Sequence, residues 1–378
     1  MGACDMTTRT LWYNNRKTLR GVRAGLLPAL LLASCLGGCP FLPAGSTPIE
    51  DPGDDTFADA TIVTFDGDQA EYAGSISSSK DVDMYDLGVL APGDRLRIDI
   101  QSTSGGLDPM AAVFDEREYI LAFSDDREPD GSNLNPLIDV LVQGARGNFY
   151  LGVVPYYNSG STGGYRVNIQ LTRAVGILDP EPQIVFLNWS GGKNLIINNV
   201  GQFDLDPFDA ADVGPFAGRT DELKDAIQDV VADRYDGFNL VLMNSDDHAV
   251  PTDPHSTVHF GGKERSAFAI AEQVDTFNVD QSDDAIIFTD SFRDAFSITP
   301  TLIQMAEAIG NTAAHEIGHL LGLVHTKDCS GLMDTTCGND SLLREQVFKL
   351  SPLDDTVFPF GMQNAVELIE WAIGLSGG

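Results

Sequence analysis

The sequence predicts two folded parts of different class: an N-terminal all-β sandwich, jelly-roll-like, followed by an α+β domain in which a mixed sheet carries one long helix. Three observations predict this. Between Thr56 and Thr172 the chain offers short alternating or apolar runs broken by turn residues, with no competing helical period. From Gln183 onward, apolar strand-like runs are interspersed with an amphipathic segment. Near residue 315, two histidines stand four apart within an apolar run of helical period.

Length and charge bound the function before any motif does. A chain of 378 residues is long for one domain and comfortable for two. It holds 56 acidic against 23 basic residues, a net charge of −33. Five basic residues and one acidic residue precede Cys39, so cleavage there leaves 18 against 55, a net of −37. Such a surface repels nucleic acid and anionic headgroups, which argues against a nucleic-acid partner or polybasic membrane attachment. A solvated acidic surface that aids solubility is the plain reading.

The first element in chain order is a targeting segment, residues 1–38. Residues 1–24 are basic, and Gly25 to Leu36 form an apolar run too short to span a bilayer permanently. Small residues precede cysteine twice, at Leu32-Ala33-Ser34-Cys35 and Leu36-Gly37-Gly38-Cys39. Both resemble the bacterial lipobox, which implies an acylated cysteine as the first mature residue. Cys39 is preferred, because its acylation leaves Cys329 and Cys337 to pair, whereas acylation at the alternative, Cys35, strands Cys39 as an odd thiol. An acyl anchor holds a protein on a membrane with the remainder in water. The expected location is therefore the bacterial cell envelope, at its outer membrane, or the extracellular medium if no lipid is added. Residues 39–55, rich in proline, glycine and acid, read as a tether.

Residues 56–173 supply the sandwich. In Arg95 to Ile100 the apolar positions Leu96, Ile98 and Ile100 face one core, and Asn148 to Val154 and Tyr165 to Leu171 complete a set of some eight strands. The marks Asp81-Val82-Asp83-Met84-Tyr85, Ala91-Pro92-Gly93-Asp94, Gly106-Leu107-Asp108-Pro109, Ser124-Asp125-Asp126, Gly147-Asn148-Phe149-Tyr150-Leu151 and Gly163-Gly164-Tyr165 follow in that order. Together they resemble the bacterial pre-peptidase C-terminal domain, which implies a non-catalytic binding or spacing module beside a secreted peptidase. Asp108, Asp125 and Asp126 are candidate Ca²⁺ ligands, since oxygen ligands gather on such loops. Turn capping is the competing use.

Residues 174–182, with Pro180 and Pro182, read as a linker, and 183–378 as the second domain. Gln183 to Asn188 is a continuous apolar strand. Thr220 to Tyr235 is amphipathic, with Leu223, Ala226, Ile227, Val230 and Val231 on one face and Thr220 as its cap. Phe238 to Met243, Thr257 to Phe260, Ser266 to Ala271 and Ala285 to Phe288 are further strands. The long helix is expected to begin at Thr299 with Pro300 in its first turn, where a missing amide donor costs little. Leu350 to Phe360 reads as a loop and Asn364 to Ile373 as a final helix.

The long helix carries His315-Glu316-Ile317-Gly318-His319-Leu320-Leu321-Gly322-Leu323-Val324-His325. At a spacing of four, His315 and His319 lie one above the other and reach the same metal ion. A tetrahedral Zn²⁺ needs a third protein ligand and an open position for water, and His325 supplies that ligand only if the helix ends first. Gly322 is where the chain can turn back.

This stretch, with Met333 eight residues beyond it, resembles the metzincin metallopeptidases, whose signature is H-E-x-x-H-x-x-G-x-x-H followed by a Met-turn. The resemblance implies one catalytic zinc on His315, His319 and His325, Glu316 as general base and Met333 beneath the metal. It implies a zinc-dependent endopeptidase, which the targeting segment makes secreted or lipid-anchored and directs to extracytoplasmic polypeptides. It also implies that the strand before the last lies at the sheet edge above the zinc and pairs with substrate. Ser266, Ala267, Phe268, Ala269, Ile270 and Ala271 are the candidates for that strand. One departure stands out: no tyrosine follows the Met-turn as it does in astacins and serralysins.

Cys329 and Cys337 bracket the Met-turn and in an exported protein predict a disulfide, worth roughly 2–3 kcal/mol by loop entropy. Metal ligation by these thiols is the rival. His248, His255 and His259 lie close in sequence, either as surface loop residues or as holders of a second, structural zinc of the kind matrixins carry. Two other functions compete with the peptidase: a lipid-anchored surface binding protein working through its sandwich, and an acidic cation-binding envelope protein.

Overall fold

The computed structural model describes residues 53–378 apart from 129–131, 145, 199, 265, 266 and 378. The targeting segment, Cys35, Cys39 and Ser266 lie outside the described residues. Among the described residues, no helix is long and apolar enough to cross a membrane.

The first unit is built from β1 (Thr61–Ile62), β2 (Gln69–Ile76), β3 (Asp83–Leu90), β4 (Arg95–Ser102), β5 (Pro109–Asp115), β6 (Ile120–Ser124), β7 (Leu137–Leu141), β8 (Gly147–Pro155) and β9 (Gly163–Thr172). One sheet runs β1-β3-β8-β5-β6 and the other β2-β9-β4-β7, antiparallel throughout except for the short β1–β3 pair. β4 and β9 alternate as a strand with one wet face must, with Leu96, Ile98, Ile100, Val167, Ile169 and Leu171 buried between the sheets. β5 is different. Pro109 to Phe114 are all buried, so both faces of this sheet are covered, and the second covering layer is the other domain.

The second unit is organised by a sheet of order β13-β10-β14-β16-β15, formed by β10 (Gln183–Asn188), β13 (Leu240–Asn244), β14 (Ser256–Phe260), β15 (Ala269–Ala271) and β16 (Ala285–Ile287). All neighbours are parallel except β15, which runs antiparallel to β16 at the edge. A hairpin of β11 (Gly192–Ile197) and β12 (Gly201–Leu205), not anticipated from sequence, precedes α1 (Ala210–Val213) and α2 (Thr220–Arg234). The predicted cap of α2 is corrected: Arg219 holds that position without a side-chain bond. The Thr220 hydroxyl instead donates to Asp209 and accepts from the Ala210 amide, tying α1 to α2.

The central helix α3 spans Leu302–Leu320, three residues later than expected. Thr301 and Gln304 form a capping box, satisfying two otherwise orphaned amides, which fixes the start and leaves Pro300 outside. α2 packs on α3, where a Cβ at Gly310 would fall 2.6 Å from Val230, so glycine sets the approach. Arg234 crosses this contact to Asn311 Oδ1 at 3.0 Å and to Glu307, and the Tyr235 hydroxyl donates to Ala314 O at 2.9 Å. The predicted loop 350–360 begins with β17 (Leu350–Pro352), which pairs with β18 (Met362–Asn364) ahead of α4 (Ala365–Ile373).

Candidate active site

Three imidazoles converge where α3 ends. His315 and His319 sit one turn apart on α3, and the helix closes at Leu321 through a Schellman motif: Gly322 N–H donates to His319 O and Leu323 N–H to Gly318 O, both at 2.9 Å. Gly322 has φ of 93°, and a Cβ there would meet Thr276 Cα at 2.8 Å and Asp275 O at 2.9 Å. Glycine is thus required by conformation and by space, and the reversal it permits returns His325 to the other two rings. Ring centroids lie 4.8 Å apart for His315 and His319, 4.7 Å for His319 and His325, and 5.4 Å for His315 and His325.

The rings are oriented as well as gathered. His315 Nδ1 lies 2.8 Å from Leu332 O and His319 Nδ1 lies 2.7 Å from Leu323 O, so each Nδ1–H is used on a main-chain carbonyl and each Nε2 lone pair is aimed inward. His319 Nε2 stands 3.0 Å from His325 Nε2. Two nitrogens each about 2.0–2.1 Å from one tetrahedral ion are separated by roughly 3.3 Å, so the spacing fits zinc. Burial pushes the pKa of His315 down to about 4, that of His319 down to about 3, and that of His325 well below the usual range. All three are neutral at pH 7, the form that ligates metal.

Glu316 is 1% exposed and lies one residue along the helix from His315. Its carboxylate accepts a hydrogen bond from the Ala271 amide, which ties it to edge strand β15. Oε2 is buried without a hydrogen-bond partner among the described residues. Burial raises the group's pKa to about 8, the Ala271 bond opposing the shift. A buried carboxyl with one oxygen anchored and the other without a partner among the described residues stands beside three imidazoles able to hold a cation; a cation there would favour its ionised form, the form that takes a proton from a water molecule. A narrow recess beside it is lined by Phe268, Thr312, His315, Leu342 and Gln346.

Met333 is buried against α3, its Sδ 2.8 Å from where a Cβ at Gly318 would stand, so Gly318 lets the sulfur under the helix. Cys329 and Cys337 form a disulfide around this turn, which removes the thiol-ligand alternative. Among the described residues of the predicted substrate strand, Ala269, Ile270 and Ala271 are extended, at the sheet edge. Ala267 and Phe268 belong to the approach, which makes the strand shorter than expected. Asp108, Asp125 and Asp126 also gather, with one carboxylate oxygen of each within 4.8 Å of the others. His248, His255 and His259 form no metal cluster among the described residues. His259 Nδ1 meets Asn188 at 2.9 Å, and His255 Nδ1 turns to the Asp253 carbonyl.

Sequence reasoning missed the partners of the candidate site residues: the carbonyls of Leu332 and Leu323, the Ala271 amide, and Gly318. Main-chain groups leave no mark in a sequence. Only Gly318, a glycine inside a strongly apolar helix, carried a readable signal.

Comparison with known proteins found one family model and several solved structures to which parts of this chain are similar. A family model described as Matrixin, Peptidase_M10, matches residues 230–357. Archaemetzincin from Methanopyrus kandleri shares 11% identity, with 50% of this chain and 94% of that chain covered and a TM-score of 0.27. The pre-peptidase C-terminal domain of a Bacillus anthracis collagenase shares 16% identity over 29% of this chain and 94% of its own, with a TM-score of 0.23. Metalloproteinase-II from Bacteroides fragilis shares 13% identity over 69% of this chain and 86% of its own, with a TM-score of 0.24. No curated protein is detectably similar in sequence.

Proposed function

We propose that this chain, a zinc metallopeptidase whose residues 230–357 match the matrixins, is an exported endopeptidase that cleaves extracytoplasmic proteins or peptides. The observation that carries the reading is the convergence of three neutral imidazoles, two of them oriented by main-chain carbonyls, beside a carboxyl with one oxygen unpartnered among the described residues. His315, His319 and His325 hold the metal. Zinc, when bound, acidifies a water and polarises the substrate carbonyl. With its other oxygen on Ala271, Glu316 Oε2 would take a proton from the attacking water as the water oxygen bonds to the scissile carbonyl carbon, and would return it to the nitrogen as the C–N bond breaks and the amine leaves. β15, whose Ala271 amide holds the base, is the edge along which an extended substrate adds as a further strand. Substrate alignment and base positioning therefore share one strand.

Export and anchoring rest on the basic and apolar N-terminus and on Cys39, with Cys35 as alternative. The division into 1–38, 39–55, 56–173, 174–182 and 183–378 belongs to the same reading. Calcium binding at Asp108, Asp125 and Asp126 is part of the same proposal, supported by the gathering of their carboxylates at one loop end of the sandwich. The deciding experiment is cleavage of a peptide library by parent and Glu316→Ala protein, both with zinc content measured. Parental cleavage with one zinc per chain, lost in the variant while zinc stays, supports the reading. Equal cleavage by both would refute it.

A further inference from the structure

Zinc ligation is confined to the second domain, yet the segment bearing the third ligand is packed against the first. The outer face of the β1-β3-β8-β5-β6 sheet presents Met84, Met110, Ala112, Phe114, Ile120 and Val154, and these share one buried cluster with Val324, Leu353, Val357 and Phe358. Val324 immediately precedes His325. Both of its main-chain polar groups are held by the fully buried Gln363, with Val324 N–H donating to Oε1 at 2.7 Å and Nε2 donating to Val324 O at 2.8 Å.

His325 itself is tied the same way. Its carbonyl accepts from Asp354 N–H at 3.0 Å, and Asp354 O accepts from the amides of Val357 and Phe358. That turn drives the Phe358 ring into the sandwich, 5.0 Å from Phe114, onto a bare patch of β8 where a Cβ at Gly152 would lie 2.4 Å from the ring. Gln363 is carried by β18, which is fixed to the β5–β6 turn: Met362 N–H donates to Glu118 O at 3.0 Å, and Arg117 pairs with Glu367 at the start of α4. Each support of the His325 main chain leads, within a few residues, into the sandwich.

His315 and His319 are held differently. They stand on a regular helix, with their ring nitrogens fixed by carbonyls of the second domain. Only the third ligand sits on irregular chain, and irregular chain takes its position from what it packs against.

We propose that the sandwich is a working part of the metal centre: it supplies no ligand but holds His325 in register with the helical pair, through Phe358 and Gln363 as positioning residues. Removing an outer support of a metal ligand typically lowers metal affinity by about 10–100-fold. The inference rests on the zinc assignment and is tested by zinc affinity in the full chain, measured by competition with a chromophoric chelator, apart from peptide cleavage.

Phe358→Ala and Gln363→Leu should each weaken zinc binding by roughly ten-fold or more, with Phe358→Leu recovering much of the loss. Cleavage by the variants should return toward parental rates at saturating zinc. Ile98→Ala, a truncation in the sandwich interior away from this junction, controls for lost stability and should leave zinc affinity unchanged wherever the chain is folded. Parental affinity in Phe358→Ala and Gln363→Leu, or an equal loss in Ile98→Ala, would overturn the inference alone. A parent that binds no zinc would overturn it together with the assignment of the three histidines.

Discussion

Two clusters of metal-capable side chains lie at loop ends of this molecule, and their difference shows what makes a site. The histidine trio is buried, 7%, 3% and 2% exposed for His315, His319 and His325, with two of its rings fixed by carbonyls and a backbone reversal dictated by Gly322. The aspartate trio also converges, but Asp125 and Asp126 are only half-buried, on the turn that follows β6. In the first, burial keeps the ligands neutral and the surrounding backbone has already oriented them. In the second, Asp108 is buried but Asp125 and Asp126 stay partly in water, so an ion there would be shared with solvent and its binding gains little. Convergence is common to both, and orientation under burial separates them.

The largest effect is expected where orientation and chemistry coincide. Glu316→Gln should lower kcat by about 10²–10⁴-fold with zinc retained, as loss of a general acid–base group does; zinc content beside single-turnover cleavage checks both halves. His325→Ala should weaken zinc binding by more than about 100-fold, beyond what loss of an outer partner costs. If that variant keeps its zinc, the histidine side of the comparison breaks. Gly322→Ala should destabilise the fold by about 1–3 kcal/mol from backbone strain alone, before its clash with Thr276 and Asp275 is counted. It should release zinc as well, because the reversal that presents His325 is strained.

Burial without orientation is represented by Asp283, fully buried between β14 and β16, with one oxygen accepting from Ser256 Oγ at 3.0 Å and the other without a partner among the described residues. Desolvation, then the nearby Asp275, push its pKa up to about 8. The folded chain therefore keeps this proton between about pH 4 and pH 8, where the unfolded chain has lost it, so stability falls as pH rises through that window. Asp283→Asn should flatten the decline and raise Tm at pH 8, by a few kcal/mol in stability, with a smaller gain at pH 5. Thermal melts across the window check the sign. The smallest effect belongs to the aspartates: millimolar Ca²⁺ should raise stability by about 1 kcal/mol, a gain absent in Asp125→Asn. A gain of several kcal/mol would place the two clusters on an equal footing.

Legibility in the sequence follows the same division. The spacing of His315 and His319, with a helix-ending glycine before His325, is local chemistry, and the structure brings those residues together as the pattern required. The alternation in β4 and β9 marked the sandwich interior. The run Pro109 to Phe114 is apolar without alternation, as a strand covered on both faces must be, but nothing local could say that the cover is the turn at Phe358, some 240 residues away in sequence. The β11–β12 hairpin was hidden because its strands are short and have few buried positions. The start of α3 was displaced because a Thr301–Gln304 box outweighs a proline signal. The Ala271 amide that holds Glu316 has no side-chain signature at all.

The most direct test compares peptide cleavage by parent and Glu316→Gln protein, each carrying one zinc per chain by metal analysis. The account predicts that the parent cleaves internal peptide bonds and that the variant, equally loaded, is slower by at least about 10²-fold. Equal rates at equal zinc, or no cleavage by a fully loaded parent, would contradict it.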